Sequence, residues 1–417
     1  MNKVPKFTPI LLGSDFNVYG MARSFYELYH RPVKAIAEKQ LAPTRFTKIV
    51  DVELINGFAE DPVWLESMLK IKEKYRDHQE PVILIACGDG YAELISKHKK
   101  ELEDVFICPY IDYDLLSLLN KKESFYQICD KYGLAYPKTK IITKKMWESK
   151  DPIDQPFAYP VALKPSNSVE WVDIDFKDRK KAYRIQSRPE LDMILQRAYT
   201  HGYKSDFILQ DFIPGDDSNM RVLNAYVDQY HHVKMMCLGH PLLEDPSPAA
   251  IGNYVAILPD YDKDIYFKFQ KFLEEIKFTG YVNFDMKYDV RDNSYKLFEI
   301  NLRQGRSSFF VTLDGYNLAQ WVVKDYVTHE LKDAPTVYGN QDKSKYKLWL
   351  GVPVSVFKKY AHPSKDKDFA LKLIAEGKYE MTYRYDKDIN IRQWALLKWM
   401  EHNYAKNFER YFKENKG

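Results

Sequence analysis

GYVNFDMKYDVRDNSYKLFEINLRQG, residues 280–305, alternates apolar and polar side chains in two runs of strand length, separated by Arg291-Asp292-Asn293-Ser294. Period-two alternation on both sides of a turn reads as a β-hairpin. The first run carries Asp285; the second carries Glu299 and Asn301, which are two apart and so leave the strand on one face. A hairpin of this register brings Asp285 close to both. Three oxygen-bearing side chains set among Phe284, Met286, Leu297, Phe298 and Ile300 make a site for a hard cation; magnesium takes carboxylate and amide oxygens, completed by water and phosphate. The competing reading is the acidic, solvent-facing side of an ordinary hairpin. Arg303 and Arg306 follow at once and favour the first, because cations beside such a site suit phosphate or carboxylate oxygens.

Working upstream, Phe207-Ile208-Leu209-Gln210-Asp211-Phe212-Ile213-Pro214-Gly215-Asp216-Asp217 runs from an apolar strand into a turn and two carboxylates. Such a hinge can offer backbone groups to a flat heterocycle and a carboxylate to a ribose; it also fits a plain turn. Further upstream, Tyr159-Pro160-Val161-Ala162-Leu163-Lys164 puts a lysine at the end of an apolar strand. A buried lysine needs an anionic partner, and phosphate is one; a solvated strand end is the plainer alternative. Short strands near 160–164, 207–212, 220–236, 251–258, 281–290 and 294–300, with helices near 190–200 and 262–276, predict an α+β region.

The first 115 residues follow another pattern. Pro9-Ile10-Leu11-Leu12 leads into Gly13-Ser14-Asp15 and a helix over 19–29; Pro81 to Ala86 leads into Cys87-Gly88-Asp89-Gly90 and a helix over 91–102. Continuous apolar strands alternating with helices predict a parallel sheet buried on both faces. Ligands of such sheets sit at the carboxyl ends of the strands, where both glycine turns fall. Neither turn is a GxGxxG fingerprint, and Gly13, Gly88 and Gly90 also serve as simple turn formers. The predicted division is 1–115 as this α/β domain, 116–205 and 206–340 as a two-part α+β region, and 341–417 as a helical, aromatic-rich extension. In that extension, helices are expected over 366–377 and 391–411. Its interleaved aromatic and basic residues read first as amphipathic helices with solvated lysines, and second as a membrane or nucleic-acid face.

Composition bounds the rest. The 417 residues carry 62 basic and 59 acidic side chains, a formal charge of +3, which gives no bulk reason to expect nucleic acid as partner. A 45% hydrophobic share with 32 Tyr, 23 Phe and 7 Trp excludes a disordered chain. No stretch approaches the roughly 18 apolar residues of a membrane span, and MNKVPKFTPILLG lacks a secretory cleavage site. Cys87, Cys108, Cys129 and Cys237 show no metal-ligand spacing. A reduced, cytoplasmic, soluble multidomain protein is expected.

Taken in order, these elements resemble the ATP-grasp superfamily of carboxylate–amine ligases. The resemblance implies a pre-ATP-grasp α/β domain followed by a two-part ATP-grasp domain, with ATP and Mg2+ as cofactors. It places Lys122, in LNKKESFYQICDKYGLAYPKT, as a phosphate-contacting lysine, with Lys121 the alternative register, and Lys164 as the second. Gln210 and Ile213 match the hinge whose backbone reads adenine, and Asp217 the ribose carboxylate. Asp285, Glu299 and Asn301 match the magnesium ligands. Arg303, with Arg306 close behind, falls near the transferred phosphate or the acceptor carboxylate, a catalytic role.

Within the superfamily the chain is most similar to the D-aspartate ligases of Gram-positive peptidoglycan synthesis, through PILLGSDFNVYGMARSFYE, LAPTRFTKIV, FIPGDDSNMRVLNAYVD and EINLRQGRSSFF. This implies an amino acid and a UDP-linked peptidoglycan precursor as partners: the β-carboxylate of D-aspartate joined to a lysine ε-amine. Another ATP-grasp amino-acid or peptide ligase, and an inactive nucleotide-binding scaffold, are the alternatives. The chain departs from the superfamily in two places. SNSVEWVDID stands where a glycine-rich loop is common, leaving Ser166, Asn167 and Ser168 as donors; Asn283 stands where some relatives carry arginine. The attacking amine also needs a base, for which His240 and Glu244, expected in a loop, are candidates.

Overall fold

The structure is a computed structural model describing residues 5–149, 156–248, 250 and 252–415, with the side chains of 168, 169, 172 and 413–415 set aside. Its strands fall into three sheets in chain order. The first holds β1 (Thr8–Leu12), β2 (Val33–Ala37), β3 (Val50–Leu54), β4 (Val82–Ala86) and β5 (Phe106–Ile107), all parallel, in the order β3-β2-β1-β4-β5. Every residue of β4 is buried, as a strand covered on both faces requires. The helix after β1 starts earlier than its apolar pattern suggests, at Phe16–Tyr29, because Asp15 caps it by accepting from the backbone N–H groups of Asn17 and Val18. The helix expected over 91–102 breaks in two, Asp89–Lys97 and Lys99–Leu102.

The second sheet is antiparallel: β6 (Thr139–Ile142), β7 (Val161–Pro165), β8 (Tyr183–Ile185) and β9 (Phe207–Asp211), ordered β6-β9-β7-β8. An aromatic core of Trp171, Tyr199, Tyr203 and Phe207 fills the space between this sheet and its helices.

The third sheet carries the site. It holds β10 (Met220–Val227), β11 (Val233–Glu244), β12 (Tyr254–Asp260), β13 (Gly280–Asp289), β14 (Ser294–Asn301), β15 (Val337–Tyr338), β16 (Leu348–Leu350) and β17 (Tyr379–Met381). The order is β14-β13-β10-β11-β12-β16-β17, with β15 beside β11. The run expected as one strand over 220–236 is a hairpin, turning at 228–232, where the Asp228 carboxylate accepts from the N–H groups of Tyr230 and His232. The strand expected from 251 begins at Tyr254; Ile251 itself lies outside the described residues. Gly280 opens β13 at φ +93°, pressed so closely on the Pro109 carbonyl that a Cβ would collide with backbone. The glycine thus lets β13 begin directly against the segment that follows β5.

The α/β and α+β class holds, with its parallel N-terminal sheet and a long C-terminal helix, Ile391–Asn415. The stretch from 341, expected to be helical, also lends β16 and β17 to the third sheet. Three-residue strands such as Leu348-Trp349-Leu350 are too short to show a period, so the helical pattern around them dominates. This stretch is sewn to the N-terminal sheet. Buried Asp388 accepts from Tyr19 Oη and Thr47 Oγ1, each at 2.7 Å, from Lys48 N at 2.8 Å and from Gln393 Nε2 at 2.9 Å.

Candidate active site

Pairing of β13 with β14 sets Asp285 opposite Glu299 and Asn283 opposite Asn301. Asn301 Nδ2 donates to Asp285 Oδ2 and to Asn283 Oδ1, both at 3.1 Å. Behind them Asn283 Nδ2 donates to Asn224 Oδ1 at 3.3 Å, an oxygen that also accepts the Ser308 hydroxyl at 2.5 Å. Asp285 is therefore set by a chain of amides reaching from β14 across β13 to β10, while Glu299 is placed by its strand position opposite it. A bulge after Asp285 pairs Met286 with Leu297, skipping Phe298; the Phe298 ring lies 5.0 Å below Lys164 Nζ.

Charge in this cluster is uneven. Burial pushes the Asp285 carboxyl up to about 7 and the charge of Glu299 adds to it, while hydrogen bonds from Tyr254 and Asn301 pull the other way. Glu299 moves oppositely. Desolvation raises it, but Lys122, Lys164, Lys181 and Arg303 together outweigh that and hold it below the usual carboxylate range. Lys122, in the first turn of the helix Lys122–Lys131, has its Nζ 3.9 Å from Glu299 Oε1. Lys164, on β7, is brought down to about 8 by burial and by Lys122, with Glu299 and Asp285 partly restoring it. A lysine from the second sheet and one from the helix Lys122–Lys131 thus face carboxylates from the third sheet. That positive excess suits a polyanion, and the two carboxylates with the Asn301 amide are the hard oxygen donors a magnesium ion takes.

Gln210, Ile213 and Asp217 form a separate group along the β9–β10 connection. The Gln210 side chain turns inward: its Nε2 donates to Tyr126 Oη at 2.8 Å and Thr139 Oγ1 at 2.9 Å. Ile213 is buried, and the Gly215 carbonyl accepts from Lys287 Nζ at 2.7 Å. Asp217 Oδ2 accepts the Glu244 backbone N–H at 3.3 Å.

The segment after β14 joins the cluster to the first sheet. Arg303 Nη2 donates to Asp89 Oδ2 at 2.7 Å, while its Nε is buried with no partner among the described residues. Gln304 Nε2 donates to the Ala86 carbonyl at 2.9 Å, and its own carbonyl accepts from Asn17 Nδ2 at 3.0 Å. The turns after β1 and β4 thus border the site. Asp15 is raised by burial against the pull of two N–H bonds and of Arg306 and Arg303. Arg306 stands farther out, 4.6 Å over the Phe16 ring and bonded to the Tyr404 hydroxyl.

His240 is not in a loop. It lies within β11, opposite Leu258 of β12, in a pairing that runs from Leu238 to Glu244. Its Nε2 lies 2.7 Å from the Ser218 carbonyl and so carries the proton; burial brings the ring down to about 4. That places its proton-bearing nitrogen on a backbone carbonyl, away from the carboxylate cluster. Ser166 and Asn167 are exposed, and the Ser168 side chain lies outside the described residues. Lys181, Tyr254 and Asn224 escaped the sequence reading, which names Asp15 only as part of the turn after β1. Lys181 sits in the charge-rich run KDRKKAYR, which reads as a solvated loop, and Tyr254 and Asn224 reach the hairpin only through sheet pairing.

No family model matches the chain. Its fold is similar to that of the L-amino acid ligase from Bacillus licheniformis (TM-score 0.54, 13% identity, 78% of this chain and 75% of that one). It is also similar to the ADP complex of an N5-carboxyaminoimidazole ribonucleotide synthetase (TM-score 0.55, 13% identity, 82% and 81%). A third likeness is to the biotin carboxylase domain of Hydrogenobacter thermophilus 2-oxoglutarate carboxylase with MgADP (TM-score 0.58, 13% identity, 82% and 74%). The sheet plan these chains share is the ATP-grasp fold, which carboxylate–amine ligases use. Over 415 residues, 99% of this chain and 98% of the relative, the sequence is 57% identical to the D-aspartate ligase of Enterococcus faecium (strain Aus0004). The chain belongs to the D-aspartate ligase family.

Among the described residues, no helix is long and apolar enough to cross a membrane.

Proposed function

We propose that this ligase joins the β-carboxylate of D-aspartate to the lysine ε-amine of a UDP-linked muramyl pentapeptide, at the expense of ATP, in the cytoplasm. The observation that carries the catalytic half is the convergence of Lys122 and Lys164 on Asp285, Glu299 and Asn301. The acid and the amine rest on the family relationship.

In this reading Asp285, Glu299 and Asn301 would hold Mg2+, and a divalent charge would offset the burial and the Glu299 charge that raise Asp285. Bound there, the ion supplies neutralisation of the nucleotide's phosphate charge. Lys122 and Lys164 orient the β- and γ-phosphates. With the Gln210 side chain turned inward, the backbone from Gln210 to Ile213 is left to read adenine, and Asp217 takes the ribose. A carboxylate oxygen of the acid attacks the γ-phosphorus and ADP leaves; the amine then attacks the acyl carbon and phosphate leaves, with one proton lost from nitrogen. Arg303 offsets the charge that builds on the acid as it meets the polyanion, and Arg306 steers the approaching carboxylate.

ADP release should require both D-aspartate and a lysine-containing UDP-muramyl pentapeptide, with L-aspartate and D-glutamate inactive. Turnover with another acid would discard the acid and keep the ligase class.

A further inference from the structure

The C-terminal stretch carries more positive charge than the rest of the chain. Residues 341–417 hold 17 basic and 10 acidic side chains, while residues 1–340 hold 45 and 49. On the helix Ile391–Asn415, the side turned away from the core exposes large apolar groups: Ile391 is 87% exposed, Trp394 54% and Trp399 59%. Arg392 and Lys398 are exposed between them. Positions 391, 394 and 398 share a helix face at i, i+3 and i+7. Leu397, Met400 and Phe408 take the opposite face into the core, so nothing in the internal packing calls for tryptophan outside.

A second element, remote in sequence, adds to the same surface. Phe46 is 49% exposed and adopts φ +62°, which a bulky side chain rarely does. It is held beside the helix start: Asn390 Nδ2 donates to the Phe46 carbonyl at 2.6 Å, and Asp388 fastens Thr47 and Lys48. Arg45 and Lys48, on either side of Phe46, are exposed. Two segments more than 340 residues apart therefore present aromatic and aliphatic tips with basic side chains between them, and neither set serves the active site.

We infer that this face, formed by the start of the C-terminal helix and the 45–48 loop, docks the enzyme on the surface of an anionic lipid bilayer. A protein partner is the weaker fit. Interface cores are depleted in lysine and gather apolar groups together, whereas here Lys398 lies between the two tryptophans and Arg392 between Ile391 and Trp394. Tryptophan beside lysine and arginine is the composition of helices that lie in the headgroup region, rings among the headgroups and cations on lipid phosphates. The positive bias of residues 341–417 is complementary to such a surface.

The test is co-sedimentation of the full chain with vesicles of phosphatidylcholine alone or with about one-third phosphatidylglycerol, at low and at physiological salt. The expected result is binding to the anionic vesicles that weakens with salt, and at least a fivefold loss in W394A/W399A and in R392E/K398E. Ligase turnover without vesicles should match wild type in both variants, which shows that they fold. Three results would overturn the inference: no binding to anionic vesicles at low salt, binding equal in both variants to wild type, or a concentration-dependent dimer in ultracentrifugation that the same substitutions abolish.

Discussion

Asn301 Nδ2 bridges Asp285 Oδ2 and Asn283 Oδ1 at 3.1 Å each, across the strand pair that sets Asp285 opposite Glu299. One amide thus fixes the orientation of a carboxylate through its two N–H groups. The amide chain continues to Asn224 and Ser308, so Asp285 is supported from the neighbouring strand β10 as well as from β14.

If these groups hold the metal, Asp285→Asn and Glu299→Gln should each lower turnover by about a hundredfold or more while leaving far-UV circular dichroism unchanged. An active double variant would remove the magnesium assignment.

The same carboxyl gives a pH signature in the ligand-free chain. Asp285 titrates near 7 when folded, against about 3.9 in an unfolded chain. Between those values the folded state holds a proton that the unfolded state has lost, so this group's contribution to stability falls as pH rises from 4 to 7. Asp285→Asn removes the penalty. The variant should melt above wild type at pH 8, by a stabilisation of roughly 1–3 kcal/mol, and the gap should close near pH 4. A variant that melts lower at pH 8 would contradict the account.

Lys164→Ala should weaken Mg-ATP binding tenfold or more by calorimetry, since it removes a cation already crowded by Lys122 in the absence of an anion. Unchanged affinity would exclude Lys164 from the phosphate site.

Gln210→Leu should cost about 1–3 kcal/mol, because it strips the Tyr126 hydroxyl and Thr139 of a buried partner. If the hinge reads adenine, the ATP KM should rise as well. Denaturant unfolding and steady-state kinetics separate the two effects.

Asp388→Ala should be among the most destabilising single changes, by about 3 kcal/mol or more, since it orphans four donors at the seam between the first sheet and the C-terminal stretch. A loss under 1 kcal/mol would mean that the seam contributes little.

What could be read from the chain followed the length of each signal. The hairpin at 280–301 alternates for long enough to give its strands, its turn and the shared side of Glu299 and Asn301. The buried runs at 9–12 and 81–86 gave the parallel sheet for the same reason. The bulge after Asp285 leaves no mark in a period-two pattern, and β16 and β17 are too short to show one. Asp15 was placed in its turn, but the helix boundary it sets depends on a side-chain cap that the apolar pattern does not carry. Gln210 was legible as a position and not as an orientation: only packing against Tyr126 and Thr139 turns its amide inward. Lys181 and Tyr254 reach the cluster through tertiary approach alone, and no local pattern marks them.

Acyl-phosphate trapping tests the central claim most directly. The chain is incubated with Mg-ATP, hydroxylamine and, in separate reactions, D-aspartate, L-aspartate, D-glutamate and D-alanine, with the UDP-linked acceptor added in a parallel set. The account predicts hydroxamate and ADP with D-aspartate alone, and their loss in Asp285→Asn. Absence of hydroxamate from D-aspartate in both sets, or equal yield from Asp285→Asn, would contradict it.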